Sequence, residues 1–490
     1  MIFTVIGFYE ARPILKKRVV ALLSEKFQGE VQLDNLEVSV FPKVRAHGSN
    51  LSVRYGNRSD VPPIIQVREL IGEASLLSLV EKPWKINRVE LRGLDIQIPP
   101  KDPNSSNNGQ HGYWNRIKDM PILIHELTVD DARLELLPKS KDKLPHVFEI
   151  HHVLMHYVGL HRPASFSAQL TNATPPGEIE TAGDFGPWNS ADPGETPLAA
   201  DYTFVNADLG VLKGIAGTLS SKGKFQGVLN RIEVEGETDT PDFSLRIGGH
   251  PVALHTDFSA TVDGLNGNTL LHPVRARLLD SFITANGEVI GKPGIKGRTI
   301  KLDVIVSKGK IQDVLRLAVK SQKPLMTGNL KLHTKFDLPA GDADIIDKLR
   351  LYGNFGVEGA QFTDPKLSAK IETLSRKGEG KPSDMAAGSD VSQLKGTFGL
   401  QNADIAFRQL TFAVEGASVQ LHGGYALDDE ALNFHGHLRL NAKLSQTMTG
   451  FKSVMLKPFD SFFRKKGVTE LPIKITGTRG KPSFGLDFHH

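Results

Sequence analysis

A side-chain spacing of two runs through most of this chain. In 252–262, reading VALHTDFSATV, Val252, Leu254, Phe258, Ala260 and Val262 fall on one side of an extended strand, and His255, Asp257, Ser259 and Thr261 fall on the other. Strand side chains alternate between faces, so this pattern predicts a sheet with one apolar face and one wet face. The alternation returns at Ile300, Leu302, Val304 and Val306, at Leu330, Leu332 and Phe336, and at Leu432, Phe434, Leu438 and Leu440. Whatever the chain does must follow from a long sheet that is greasy on one side.

Composition decides between several compact domains and one extended architecture. The 490 residues are only 39% hydrophobic and 7% aromatic, lean for several closed cores but sufficient for a thin sheet that buries one face. Many of the 47 glycines sit inside the alternating runs, in Phe225–Gly227–Leu229 for example, where the period calls for an apolar side chain. Inward glycine marks a bend or the close approach of another backbone or a ligand, and a repeated one lets a sheet curl into a trough. The formal charge of +4, from 59 basic and 55 acidic residues without long single-sign blocks, argues against a nucleic-acid partner. Zero cysteines exclude disulfides, thiol catalysis and thiolate-bound zinc.

Met1–Tyr9, MIFTVIGFY, is apolar and is followed by Arg12, Lys16, Lys17 and Arg18. A helical span needs roughly 20 residues, so this segment reads as the remnant of a membrane anchor or as a short tail touching lipid. The expected membrane contacts are Met1, Ile2, Phe3, Val5, Ile6 and Phe8. A helix is predicted over 13–27, with Pro13 at its start and Gly29 past its end, and another over 310–319. Two phrases, INRVELRGLDIQI (86–98) and IHELTVDDARLEL (124–136), place apolar or small residues at the same offsets of 0, 3, 5, 8, 10 and 12. Their odd steps predict a paired bulge or tight corner within a two-strand unit. The organisation expected is an anchor remnant (1–10), three β regions (11–170, 171–374 and 391–490) and a flexible loop (375–390). Leu444–Phe463, apolar with basic flanks, is either a membrane-surface segment or a helical plug on the last strands.

Motifs for chemistry dissolve on inspection. His151, His152 and His156 invite a metal reading, but in a strand His152 and His156 stand about 13 Å apart, too far for one ion. Ser221/Lys224 and Ser392/Lys395 both satisfy S-x-x-K, without the companion motifs that give it meaning. Gly291–Thr299, GKPGIKGRT, lacks the G-K-[ST] ending of a phosphate loop. The expectation is no enzyme, no catalytic residue, no metal and no cofactor.

The order of LDNLEVSVFP (33–42), INRVELRGLDIQIP (86–99), GDFGPW (183–188), GTLSSKGKFQG (217–227), TPDFSL (240–245) and LPIKITGTRGKPSFGL (471–486) resembles bacterial AsmA-like proteins over nearly the whole chain. The resemblance implies a periplasmic protein held in the inner membrane by an N-terminal helix. It also implies repeated β units forming a groove like that of chorein-type bridge-like lipid transfer proteins, with roles in lipid traffic and outer-membrane integrity. The expected fold is thus mainly β: an elongated, twisted, largely antiparallel sheet curled into an apolar groove, with an N-terminal helix and a few capping helices. At roughly 15–20 strands and ~4.8 Å per strand it would run roughly 70–100 Å. The expected function is non-enzymatic phospholipid transfer between inner and outer membranes. A diffuse groove surface would include Val252, Leu254, Phe258, Ala260, Val262, Ile300, Leu302, Val304, Leu330, Leu332 and Phe336. Expected partners are phospholipids or other acyl-chain lipids, the membrane and other envelope proteins. The alternative is a scaffold for outer-membrane protein biogenesis.

Overall fold

The computed structural model describes residues 16–17, 20–21, 24, 30–54, 63, 65–79, 84–98, 122–136, 146–159, 162–189, 192–382 (except 249, 265, 292–294, 296 and 322), 391–447, 457, 460–465 and 467–487. Most of these residues lie in strands. The first group is β1 (Val31–Gln32), β2 (Asn35–Ser39), β3 (Val44–Val53), β4 (Ile65–Ala74) and β5 (Trp84–Ile98). Next come β6 (Ile122–Leu136), β7 (His146–Gly159), β8 (Ala164–Ala173), β9 (Pro176–Phe185), β10 (Pro197–Asp208), β11 (Ile215–Ala216) and β12 (Thr218–Val228). The middle holds β13 (Arg231–Leu245), β14 (Val252–Val262), β15 (Thr269–Leu278), β16 (Ser281–Gly291), β17 (Arg298–Lys310) and β18 (Met326–Leu338). The last group is β19 (Arg350–Phe362), β20 (Val391–Gln401), β21 (Asp404–Val414), β22 (Ala417–Ala426), β23 (Ala431–Leu440), β24 (Arg464–Lys465), β25 (Val468–Thr478) and β26 (Lys481–Leu486).

Twenty-five of these strands form one twisted, open sheet, and the two-residue β11 pairs separately with β13. Short strands share places: β1 and β2 both lie beside β3, β11 lies beside β13 in line with β12, and β24, opposite β23, shares the side of β25 taken by β26. The sheet therefore has 23 lateral places and runs about 105 Å along its curve at ~4.8 Å each. This exceeds the expected count because 171–200, rich in Pro, Gly and Asp, supplies the end of β8, the whole of β9 and the start of β10. Successive strands meander antiparallel, so every strand end falls on one of two long lips.

One pair breaks the meander. β5 and β6 lie parallel, in a register that puts Ile86 beside Ile124, Val89 beside Leu127 and Leu91 beside Val129. The two repeated phrases are thus each a single 15-residue strand rather than a two-strand unit, and they lie side by side in phase. Their odd steps are bulges, as the spacing predicted. Gly93 (φ 63°) and Asp131 (φ 53°) hold matching left-handed positions. The inward side chains step by three at the same height across β3 to β7: Gly48 to Leu51, Val67 to Leu70, Leu91 to Leu94, Val129 to Ala132 and Ile150 to Val153. A bulge adds one residue and bends the strand, so this transverse seam curls the sheet while keeping its apolar face continuous.

Helices line the lips. α1 (Ile311–Ala318) lies within the predicted segment 310–319 and touches β13, β17 and β18. Its buried Asp313 accepts hydrogen bonds from Ser281 Oγ (2.7 Å) and the Asp280 amide (3.1 Å), pinning it to the β15–β16 turn. α2 (Ile345–Lys348) packs Ile345 and Ile346 with Leu338, Leu349 and Leu400 on the opposite lip. α3 (Pro365–Glu379) buries Ile371 with Leu330, Val357, Val414 and Leu440. The loop expected at 375–390 is corrected here: 375–379 belong to α3, where Ser375 is buried and its hydroxyl donates to the Glu415 carbonyl at 2.9 Å. Residues 383–390 lie outside the described residues. α4 (Asp460–Phe463) accepts from the Ser445 amide and hydroxyl through Asp460 and touches β25. That placement fits the helical plug, while 448–456 lie outside the described residues. Lys16, Lys17, Val20, Ala21 and Ser24 are helical, the remainder of 13–27 being outside the described residues, as are Met1–Tyr9.

Inward glycines are covered by neighbouring backbone, as at Gly287 and Gly353, or by rings, as at Gly236. A Cβ on Gly236 would come within 2.7 Å of Tyr202 Oη, 2.8 Å of the Lys222 carbonyl and 3.1 Å of the Phe258 ring. Gly356, on the outer face, has nothing within 4 Å. Gly236→Val is therefore expected to cost about 1–3 kcal/mol by overpacking and to lower the thermal midpoint. Gly356→Val should leave it unchanged or raise it, and calorimetry on the two variants distinguishes these outcomes.

Candidate functional site

The candidate site is the inner face of the sheet. Cross-strand register collects its residues into rows. Phe225, Val234 and Ala260 form one, and Thr240, Leu254 and Leu278 another. Farther along, Gly287, Leu302, Phe336 and Leu351 share a row, as do Ile283, Val306, Leu332 and Phe355. Alternation puts an aliphatic or aromatic side chain on this face at most steps, so the rows merge into a lane of apolar surface.

All eleven residues read from the sequence as groove-lining lie on this inner face, on β14, β17 and β18. They are not equally available. Leu254, Phe258, Val262, Ile300, Leu302, Val304, Leu332 and Phe336 remain partly exposed along the lane. Val252, Ala260 and Leu330 are only 2, 2 and 3% exposed, so they contribute packing rather than accessible surface. Leu330 illustrates the reason: it sits among Val357, Ala360 and Ile371, with Ile311 and Val314 of α1 packed alongside. The expected membrane contacts Met1, Ile2, Phe3, Val5, Ile6 and Phe8 lie outside the described residues.

The lane is completed by inward residues of β12, β13, β15 and β16: Phe225, Ile232 and Val234, which the alternation marks as strand residues without assigning them to the groove, and Leu271, Ile283 and Ala285, which it does not single out. Their signal was the same alternation, interrupted by glycine and by bulges such as the one between Asp257 and Ala260. Tyr202 was also missed. Its ring lies against Gly223 and Gly236, its hydroxyl is 3.1 Å from Ser221 Oγ, and burial pushes its pKa up.

The outer face is a wall of cross-strand charge pairs. Lys222 meets Glu237 at 2.9 Å, Lys331 meets Glu358 at 3.0 Å, and Arg88 meets Glu126 at 2.7 Å. Histidines join them: His152 Nδ1 is 2.7 Å from Asp130, and His333 Nε2 is 2.6 Å from Asp303. His151 bonds Thr171 instead. Among the described residues Glu237, His255 and Asp257 bring ligand atoms within 4.8 Å of one another, a set that spacing along the sequence does not display. Lys222 already balances Glu237, and Asp239 engages His255 Nδ1 at 2.7 Å, so a cation would have to displace existing pairs. Two depressions also open on this wall, one beside the charged side chains of Asp201, Lys222 and Glu237, the other beside His152, Gln169 and Glu180.

The apparent S-x-x-K pair comes apart. Ser221 points inward, donating to the Glu237 carbonyl at 2.9 Å, while Lys224 points outward to Glu235 at 3.4 Å. A three-residue spacing in a regular strand sends the two side chains to opposite faces. No family model matches the chain, and no curated protein or solved structure matches it.

Thr261 donates to Glu233 Oε2 at 2.9 Å, so His272 Nε2, 2.8 Å from the same hydroxyl, must be the donor to it. The Thr261 bond, with smaller help from Arg231 and His272, holds the Glu233 carboxyl below its ordinary range against the opposing effect of burial. A carboxyl whose folded pKa is depressed stabilises the fold above its unfolded pKa, and that stability is lost as pH falls through the folded value. Thr261→Val should move the Glu233 titration back toward 4.5 in side-chain NMR and raise the pH at which acid begins to loosen this region.

Proposed function

We propose that the chain is a non-enzymatic lipid carrier or conduit, with the inner lane as a diffuse surface for acyl chains. The observation that carries this reading is the row of partly exposed apolar side chains running through β12–β18 on one face of an open sheet whose other face is charged. An acyl chain gains ~0.8 kcal/mol per buried CH₂, so a 16-carbon chain laid in the lane is stabilised by roughly 12 kcal/mol relative to water. No specific side chain is required for that, while a head group can stay in solvent at an open lip. The phrase order resembling AsmA-like proteins supports phospholipid as the cargo and the bacterial envelope, between inner and outer membranes, as the setting. The same resemblance favours a periplasmic protein attached to the inner membrane, with enzymatic activity playing no part.

A second reading, a scaffold for envelope proteins, draws on β26. This strand pairs with β25 on one side, and its inward residues Phe484 and Leu486 are exposed. An exposed strand edge accepts another chain by strand addition.

Native mass spectrometry of gently extracted protein should show bound phospholipid. Leu254→Asp, Phe258→Asp and Val262→Asp together should abolish that occupancy and cut vesicle-to-vesicle transfer at least tenfold. Ser259→Asp, on the outer face of the same strand, should leave both intact. Full transfer by the triple variant would remove β14 from the lipid path, and cross-linking that recovers protein partners without lipid would favour the scaffold.

A further inference from the structure

The first part of the sheet carries an unusual lip. Phe41 and Leu77 are 88 and 84% exposed, and Leu76 is 56% exposed. Phe41 sits in the turn between β2 and β3, and Leu76 and Leu77 follow β4, just before β5 opens with the exposed Trp84. Register places these at one end of the strands: Ser39 pairs with Arg45, Ala74 with Val44 and Ile86, and Trp84 with Ile122. The end of β7 falls at the same lip, where exposed Tyr157 has the Arg162 guanidinium 4.4 Å above its ring. Lys43 and Lys85 flank the apolar tips, exposed and with no carboxylate partner among the described residues, whereas neighbouring Glu73 is engaged by Arg45 at 3.1 Å.

We propose that this lip, through Phe41, Leu76, Leu77 and Trp84 with Lys43 and Lys85, contacts an anionic lipid surface. Apolar and aromatic tips beside unmatched cations are the chemistry of a bilayer interface, where rings and aliphatic chains enter the acyl boundary and ammonium groups meet phosphates. A protein partner fits less well. The side chains are dispersed over separate turns rather than joined into the patch of about 800 Å² per partner that a standard interface needs. A bilayer accepts such side chains one at a time. The contact places the beginning of the inner lane, at Val44, Ala46, Ala74 and Ile86, against the membrane. That route rests on the lipid reading above, but the contact itself is measured separately.

The chain has no cysteine, so Leu77→Cys carrying an environment-sensitive dye reports on this lip alone. In the full-length protein, mixing with vesicles of phosphatidylcholine and phosphatidylglycerol should blue-shift the dye and expose it to quenching by brominated acyl chains. Thr174→Cys, in the β8–β9 turn on the opposite lip, should show neither effect. Lys43→Gln with Lys85→Gln should weaken the Leu77→Cys response about 25-fold at low salt, about fivefold per lysine, and flatten its salt dependence. An unresponsive dye at Leu77→Cys, or an equal response at Thr174→Cys, overturns the proposal. A shift that follows protein concentration without vesicles assigns the patch to a second copy and overturns it too. Lipid occupancy of the same labelled protein is read by native mass spectrometry. An occupied lane with a silent dye rejects the lip alone, and a responsive dye with an empty lane rejects the lane alone.

Discussion

Registration of one face governs this structure. A one-residue slip in a strand turns over every side chain beyond it, so a sheet of this length keeps an apolar side only if each slip is matched by its neighbours. The seam across β3 to β7 is that matching made visible. Gly93 and Asp131 take the same left-handed conformation in adjacent parallel strands, and Arg68 and Asp131 close to 3.4 Å across the seam. The inserted positions are occupied by Asn50, Arg68, Gly93, Asp131 and His151, none of them a large apolar residue, while the flanking inward residues stay apolar or small. An insertion confined to one strand would have put charge into the lane.

The same constraint separates what could be read from the sequence from what could not. Alternation in 252–262 made the strand, its two faces and the mainly β class legible, because period two is a local property. The repeat in 86–98 and 124–136 was legible as two phrases in phase, but not as a parallel pair, since pairing partners are set by tertiary register. β9 and β10 were hidden by Pro, Gly and Asp, whose weak strand propensity is overridden once neighbours on both sides supply a ladder. The last turn of α3 was hidden in a similar way: SRKGE looks like a solvated loop, yet Ser375 caps the Glu415 carbonyl and Gly378 lets the helix approach Gly416, where a Cβ would lie 2.5 Å from the carbonyl oxygen. Availability was the least legible property. Leu330 and Leu332 have identical pattern positions, and only the helices packed at the lip make the first inaccessible and leave the second partly open.

The lane changes character along its length. Between β12 and β17 its floor combines aliphatic residues, glycine and a few hydroxyls, and its central side chains remain partly exposed. From β19 to β25 aromatic rings interlock: Phe355 with Phe398 and Phe407 at 6.1 and 6.3 Å, and Phe407 with Phe434 at 5.8 Å. There Val419, Leu421 and Phe434 are buried, and α3 adds Leu374 to the packing. Edge-to-face ring packing brings its own stabilisation and needs no guest. The middle section lacks that self-sufficiency. Apolar surface left in water carries a standing cost that either a covering segment or a bound hydrocarbon removes, and an acyl chain removes it without any directional contact. On the lipid reading, guest binding and sheet stability are therefore one free energy. Lipid should raise the unfolding temperature of the middle strands more than that of the ring-packed β19–β25 section, which is already closed without it.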